Sequence, residues 1–92
     1  MEKYIMMFWT LDDVTSEAVA VDLAESLINE ALEAKHATRG KRKKIRLAQS
    51  KIEKLRDKCF VMKWNKPIEG LKAAFNSLEQ CIGELDVNLW GI

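Results

Sequence analysis

Two heptad runs of apolar residues, separated by a short break, restrict the possible folds of this chain more than any other feature. Apolar residues at alternating spacings of three and four form a stripe along one side of a helix. Between the runs stands Asn65-Lys66-Pro67, and Pro67 can end one helix and begin the next. The spacing predicts an antiparallel helical hairpin, with helices over 41 to 62 or 64 and over 67 to about 85. The runs are Ile45, Ala48, Ile52, Leu55, Cys59, Met62 and Ile68, Leu71, Phe75, Leu78, Ile82, Leu85.

A third helix is predicted before the hairpin, over residues 12–37. Its N-cap candidates are Thr10, Asp12 and Asp13, whose side-chain oxygens can accept backbone N–H bonds. Its apolar arc covers about half of the circumference, enough to contact two neighbouring helices. The arc consists of Val21, Leu23, Ala24, Leu27, Ile28, Ala31 and Leu32.

The expected fold is therefore all-α, a three-helix antiparallel bundle with apolar N- and C-terminal segments. Residues 4–9 and 87–92 are short apolar stretches that suit either strand or helix, and residues 59–64 also have a strand-like composition. An α+β fold with a small sheet built from the termini is the alternative. The whole chain, residues 1–92, is expected to form a single domain.

The cysteines and the apolar segments favour a cytosolic protein. Residues 4–9 are too short for the apolar region of a signal peptide, and no apolar run has the roughly 18 residues needed to span a membrane. Cys59 and Cys81 could pair, although cysteines in a chain without a secretory signal are more often reduced core residues. We therefore expect a cytoplasmic location and no membrane partner.

Charge is strongly segregated along the chain, although the net charge is only +1. Residues 1–38 hold eight acidic residues and two lysines. Residues 39–66 hold twelve basic residues and two acidic ones, whereas residues 67–92 hold four acidic residues and one lysine. The middle helix is thus basic between two acidic segments.

A row of lysines is predicted to point outward from this basic helix, roughly opposite the apolar stripe. Lys44, Lys51 and Lys58 are seven residues apart and should share one face, about 10 Å from each other. Lys43 and Lys54 should lie beside them. Further cations at the start of the helix are Arg39, Lys41 and Arg42.

Three interpretations of this charge remain open. The basic helix could pair with its acidic neighbours, although exposed ion pairs contribute only about 0–1 kcal/mol each. It could instead grip a nucleic-acid backbone without reading sequence. The third interpretation is an acidic protein partner, attracted by the lysine row. No helix-turn-helix pattern or interleaved aromatic residue supports base recognition.

The sequence contains no recognisable catalytic constellation, metal-ligand spacing or phosphate-binding glycine loop. We therefore expect no enzymatic activity and no cofactor. The predicted function is a small interaction protein, such as an inhibitor, adaptor or assembly factor. Its contacts would be the lysine row and the apolar ends around Trp9, Trp64 and Trp90. A nucleic-acid-binding subunit is the alternative, and a homodimer is also plausible.

Overall fold

The protein forms a bundle of three helices in the part of the chain that its structure, a computed structural model, describes. That part is residues 13–90, with side chains through residue 85. The helices are α1 (Glu17–Lys35), α2 (Lys41–Met62) and α3 (Ile68–Trp90). No strand occurs over 13–90, so the all-α prediction is confirmed. Residues 59–62 end α2 and residues 87–90 belong to α3, whereas residues 4–9 lie outside the described residues.

Side-chain contacts between the helices give their relative directions. Lys51 on α2 contacts Glu30 on α1, which makes this pair antiparallel across the short connection. Arg46 on α2 contacts Glu79 on α3, so this second pair is also antiparallel. Each helix packs against both others. The predicted up-down-up order is therefore confirmed.

The start of α1 differs from the prediction. The N-cap residue is Ser16, whose backbone is extended and whose hydroxyl accepts a hydrogen bond from the Val19 N–H at 3.3 Å. Thr10 and Asp12 lie outside the described residues, and Asp13 precedes the cap. Val14 is buried in the core. Because Val14 packs in the core, the chain is held there in a non-helical conformation, and α1 begins three residues later, at Glu17.

The buried side of α1 is rich in alanine. Leu23 and Leu27 are buried as predicted, but Leu32 is exposed, so its assignment to the apolar arc was wrong. The buried stripe is rotated away from Leu32 toward four small side chains that allow neighbouring helices to come close. These four residues are Ala20, Ala24, Ala31 and Ala34.

The predicted stripes of α2 and α3 face the core, with one exception. The α2 stripe is buried from Ile45 to Cys59, but Met62 is exposed. A straight helix drifts by about 20° per heptad relative to a strict seven-residue repeat, and this drift turns Met62 out of the interface. In α3, Phe75 and Leu85 are half-buried against the core, and the other four stripe residues are buried.

Helix α2 ends in a hydrogen-bonded turn around Lys63. The Trp64 N–H donates to the Cys59 carbonyl at 2.9 Å, and the Lys63 N–H donates to the Phe60 carbonyl at 3.3 Å. This Schellman pattern requires a left-handed backbone, which Lys63 adopts with a φ of 62°. Glycine usually occupies such a position because a Cβ atom is disfavoured there.

Replacing Lys63 by glycine is therefore expected to stabilise the protein. We expect Lys63→Gly to raise the free energy of unfolding by about 0.5–1 kcal/mol. Glycine removes the strain of the left-handed backbone, and this gain exceeds the loss caused by the greater entropy of glycine in the unfolded chain. Lys54→Gly, in the exposed middle of the same helix, should lower it by about 1 kcal/mol. Urea unfolding of both variants measures the difference. A loss of stability in Lys63→Gly would contradict this account of the turn.

Both cysteines are free thiols in the structure. This agrees with the sequence-based expectation that reduced core cysteines are the more common case. Cys59 is fully buried in α2, and Cys81 is half-buried in α3. Burial raises the pKa of the Cys59 thiol, and the negative charge of Glu17 raises it further. Cys59 is therefore a core residue with low thiolate content at neutral pH.

Candidate functional site

The cations of α2 fall into two groups according to what they touch. The first group faces the neighbouring helices, and Lys51 is its clearest member. Its Nζ atom lies 2.9 Å from Glu30 Oε1, and its side chain is only 18% exposed. The prediction that Lys51 points outward is therefore wrong. The row of lysines at seven-residue spacing winds around the helix, and at Lys51 it faces the acidic helix α1.

Arg46 also belongs to this inward group, through a polar network that the sequence analysis missed. Its Nη1 atom donates to Glu79 Oε1 at 3.1 Å and to Gln49 Oε1 at 3.0 Å. The Gln49 amide, which is buried, donates to the same Glu79 oxygen at 2.9 Å. The network fixes α2 beside α3, because Gln49 would otherwise leave buried polar atoms unpaired.

Arg56 is the third inward cation. Its guanidinium carbon lies 5.3 Å from the centre of the Phe75 ring, within the range of a cation–π contact. One Nη atom lies 3.7 Å from Asp57 Oδ1. Its buried Nε atom has no hydrogen-bond partner among the described residues. Arg56 therefore contributes mainly by packing on α3.

The second group of cations is exposed and lies mostly in the first half of α2. Lys41 and Lys58, which were predicted to join it, are half-buried. Within residues 13–85, Lys43, Lys44 and Lys54 form no ion pair. The exposed cations among the predicted contacts are Arg39, Arg42, Lys43, Lys44 and Lys54.

An exposed leucine stands among these cations. Leu47 follows Lys43 and Lys44 by about one helical turn and precedes Lys54 by two turns, about 10 Å, so all four lie along one side of the helix. The Leu47 side chain is 51% exposed. We call Lys43, Lys44, Leu47 and Lys54 the Leu47 patch. Leu47 falls outside the heptad stripe, so its exposure could have been predicted from the sequence.

The start of α2 adds positive potential close to the Leu47 patch. Gly40, with a φ of 61°, provides no side-chain cap, and the first turn of α2 holds no acidic residue. Arg39 and Arg42 are exposed there. Cations beside a helix N-terminus are unfavourable because the helix dipole is positive at that end. A bound anionic group would relieve this repulsion.

Of the three tryptophans, the structure describes the side chain of Trp64 alone. Trp64 is half-buried and packs against the core, so it closes one end of the bundle. Trp9 lies outside the described residues, as does the side chain of Trp90. Beside Trp64, the last turn of α2 exposes apolar side chains of Phe60, Val61 and Met62.

Other kinds of site find little support in the described side chains. No group of three or more His, Cys, Asp or Glu residues among them could hold a metal ion. None of the described helices has the length and apolar character required to cross a membrane. A shallow, polar groove between α2 and α3 is lined by residues such as Ser50, Glu53 and Glu79. Comparison with protein-family models, curated proteins and solved structures finds no match for the chain.

Proposed function

We propose that this protein is a small interaction module that binds an acidic protein segment through the Leu47 patch. The observation that carries the proposal is the half-exposed Leu47 surrounded by cations that form no ion pair among the described residues. Carboxylates of a partner would meet Lys43, Lys44 and Lys54, and an apolar partner side chain would cover Leu47. The cations would steer encounter, and the leucine would add buried apolar area.

The composition of the patch favours a protein partner over a nucleic acid. The lysines would strengthen binding of a phosphate backbone, but Leu47 would add little to its affinity. The acidic residues Glu53 and Asp57 are exposed beside Lys54 and would repel phosphates along the same helix. Because Lys51 is already bound to Glu30, the continuous lysine row that could track a backbone is interrupted.

The proposed role is that of an inhibitor, adaptor or assembly factor in the cytosol, without enzymatic activity. The inward cations Arg46, Lys51 and Arg56 would hold α2 in place, while the Leu47 patch faces the partner. A homodimer remains a prediction. A molar mass near that of the monomer, 10.6 kDa, measured by light scattering would contradict it.

Binding of a defined acidic probe tests the proposal. The probe is a fluorescent peptide of glutamates with interspersed leucines, titrated with protein and followed by fluorescence anisotropy. The triple variant Lys43→Gln, Lys44→Gln and Lys54→Gln should bind it about tenfold more weakly, because each exposed charge contributes up to about 1 kcal/mol. Leu47→Ser alone should also weaken binding of the peptide.

The matched control removes three exposed lysines elsewhere: Lys63→Gln, Lys66→Gln and Lys72→Gln. This control has the same net charge as the first variant. If both variants bind the peptide equally weakly, the overall charge explains the effect, and the proposal that the Leu47 patch binds the peptide is contradicted. A DNA duplex serves as the second probe. If DNA binds more tightly than the peptide, in a salt-sensitive way, and Leu47→Ser does not change that binding, the nucleic-acid alternative is favoured instead.

A further inference from the structure

Helices α1 and α2 share an outer face of the bundle, and an ion pair between them marks where it lies. Lys51 Nζ lies 2.9 Å from Glu30 Oε1, so the sides of the two helices that carry these residues are adjacent. Residues three or four positions apart on a helix are neighbours on its surface. Stepping by three or four positions from this ion pair therefore gives one continuous surface. We call it the α1–α2 face, and it includes Asp22, Ser26 and Glu33 of α1 with Lys44, Leu47, Lys54 and Lys58 of α2.

The α1–α2 face has an acidic half and a basic half. On α1, Asp22 and Glu33 are exposed and form no ion pair with any residue over 13–85. On α2, Lys44 and Lys54 are exposed and equally unpaired within that range. Leu47 lies between these lysines and is 51% exposed. Charges of opposite sign therefore run along the two helices, with an exposed leucine on the basic half.

A second copy of the protein carries the charges that complement this face. Closed two-fold dimers bury the same surface on both copies. If the two-fold axis runs parallel to the helices, each α1 lies on the α2 of the other copy, and opposite charges meet. If the axis instead crosses the helices within the face, α1 lies on α1 and α2 on α2, and like charges repel. The face is therefore self-complementary about the parallel axis.

We propose that a second copy of this chain binds on the α1–α2 face about that parallel two-fold axis. This inference rests on the proposed function, because the acidic segment that the Leu47 patch binds would be α1 of the other copy. Asp22 and Glu33 of one copy would approach exposed lysines such as Lys44 and Lys54 of the other. The Leu47 side chain would lie beneath the second α1 and lose its contact with water.

The size of the α1–α2 face indicates a weak dimer. Helix α1 has 19 residues, a length of about 28 Å, and two packed helices present a width of roughly 20 Å. Such a face buries on the order of 600 Å² per copy, or about 1,200 Å² in total. This area is at the lower end for specific protein interfaces, where transient complexes are common. We therefore expect the dimer at high protein concentration and its dissociation on dilution.

Charge reversal followed by light scattering tests this arrangement. At millimolar concentration, the average mass of the full chain should approach twice the 10.6 kDa of the monomer. An acidic variant carries Lys44→Glu and Lys54→Glu, and a basic variant carries Asp22→Lys and Glu33→Lys. Each variant alone should stay near the monomer mass, because like charges would meet across the axis. An equimolar mixture of the two variants should form a heterodimer, because opposite charges meet again.

The matched control is Lys63→Glu with Lys72→Glu, which has the same net charge as the acidic variant but changes exposed lysines outside the face. This control should still dimerise. Four results would each overturn the proposal: a monomer mass for the full chain at millimolar concentration, a dimer of either variant alone, no association in the mixture, or loss of the dimer in the control.

The fluorescent peptide of glutamates and leucines separates failure of this inference from failure of the proposed function. In a dimer, excess peptide should compete for the Leu47 patch and return the mass to that of one chain with bound peptide. If the chain stays monomeric but the patch variants still weaken peptide binding, the dimer is disproved and the proposed function stands. If the chain stays monomeric and binds no peptide, both proposals are disproved.

Discussion

Leu55→Ala is expected to lower the free energy of unfolding by about 2–5 kcal/mol. Leu55 is fully buried in the middle of α2, in the core shared by all three helices. Its truncation removes apolar contacts and leaves a cavity that rigid helices cannot close completely. Native domains have only about 5–15 kcal/mol of stability, so this one change should remove a large share of it.

The control for this expectation is Leu47→Ala. It makes the same chemical change on the same helix, but at an exposed position, and should alter the free energy of unfolding by less than about 0.5 kcal/mol. Urea denaturation followed by circular dichroism measures both variants. Similar destabilisation by the two changes would mean that α2 faces the core differently from the structure.

Ala31→Leu is expected to have the second largest effect, a loss of about 1–3 kcal/mol. Ala31 is buried on α1, in the alanine-rich stripe that faces the core. A leucine has three more heavy atoms than alanine, and they would push α1 away from its neighbours or force strained rotamers. The melting temperature should fall by roughly 4–8 °C for each kcal/mol in a domain of this size.

Ala18→Leu is the matched control, because Ala18 lies on the exposed side of α1. Its melting temperature should stay close to that of the parent protein, since leucine is nearly as good a helix former as alanine. A stabilising effect of Ala31→Leu would contradict the close packing of α1, because it would reveal unfilled space beside Ala31.

The parts of the fold that depend on local spacing could be predicted from the sequence. The α2 and α3 stripes repeat regularly, and Pro67 marks the boundary between the helices, so the hairpin follows from the pattern. The start of α1 could not be predicted in the same way. Asp13 and Ser16 are both good N-cap residues, and the choice depends on the burial of Val14, which is a tertiary contact.

The candidate site was predicted only in part, for a related reason. Sequence spacing shows that Lys51 and Lys54 are neighbours on the helix surface, with Lys51 nearer the apolar stripe, but it does not show where α1 lies. The structure places Glu30 next to Lys51, which makes Lys51 part of the packing and leaves Lys54 exposed. The contact of Gln49 with Glu79 likewise depends on the register between two helices.

The up-down-up order has a consequence for how quickly the protein can fold. Five residues join α1 to α2 and another five join α2 to α3, so closing either helical pair costs little loop entropy. Only the contact between α1 and α3 joins distant parts of the chain. Low contact order of this kind is typical of domains that fold in microseconds to milliseconds. The core around Leu55 therefore assembles mainly from helices that are already neighbours in sequence.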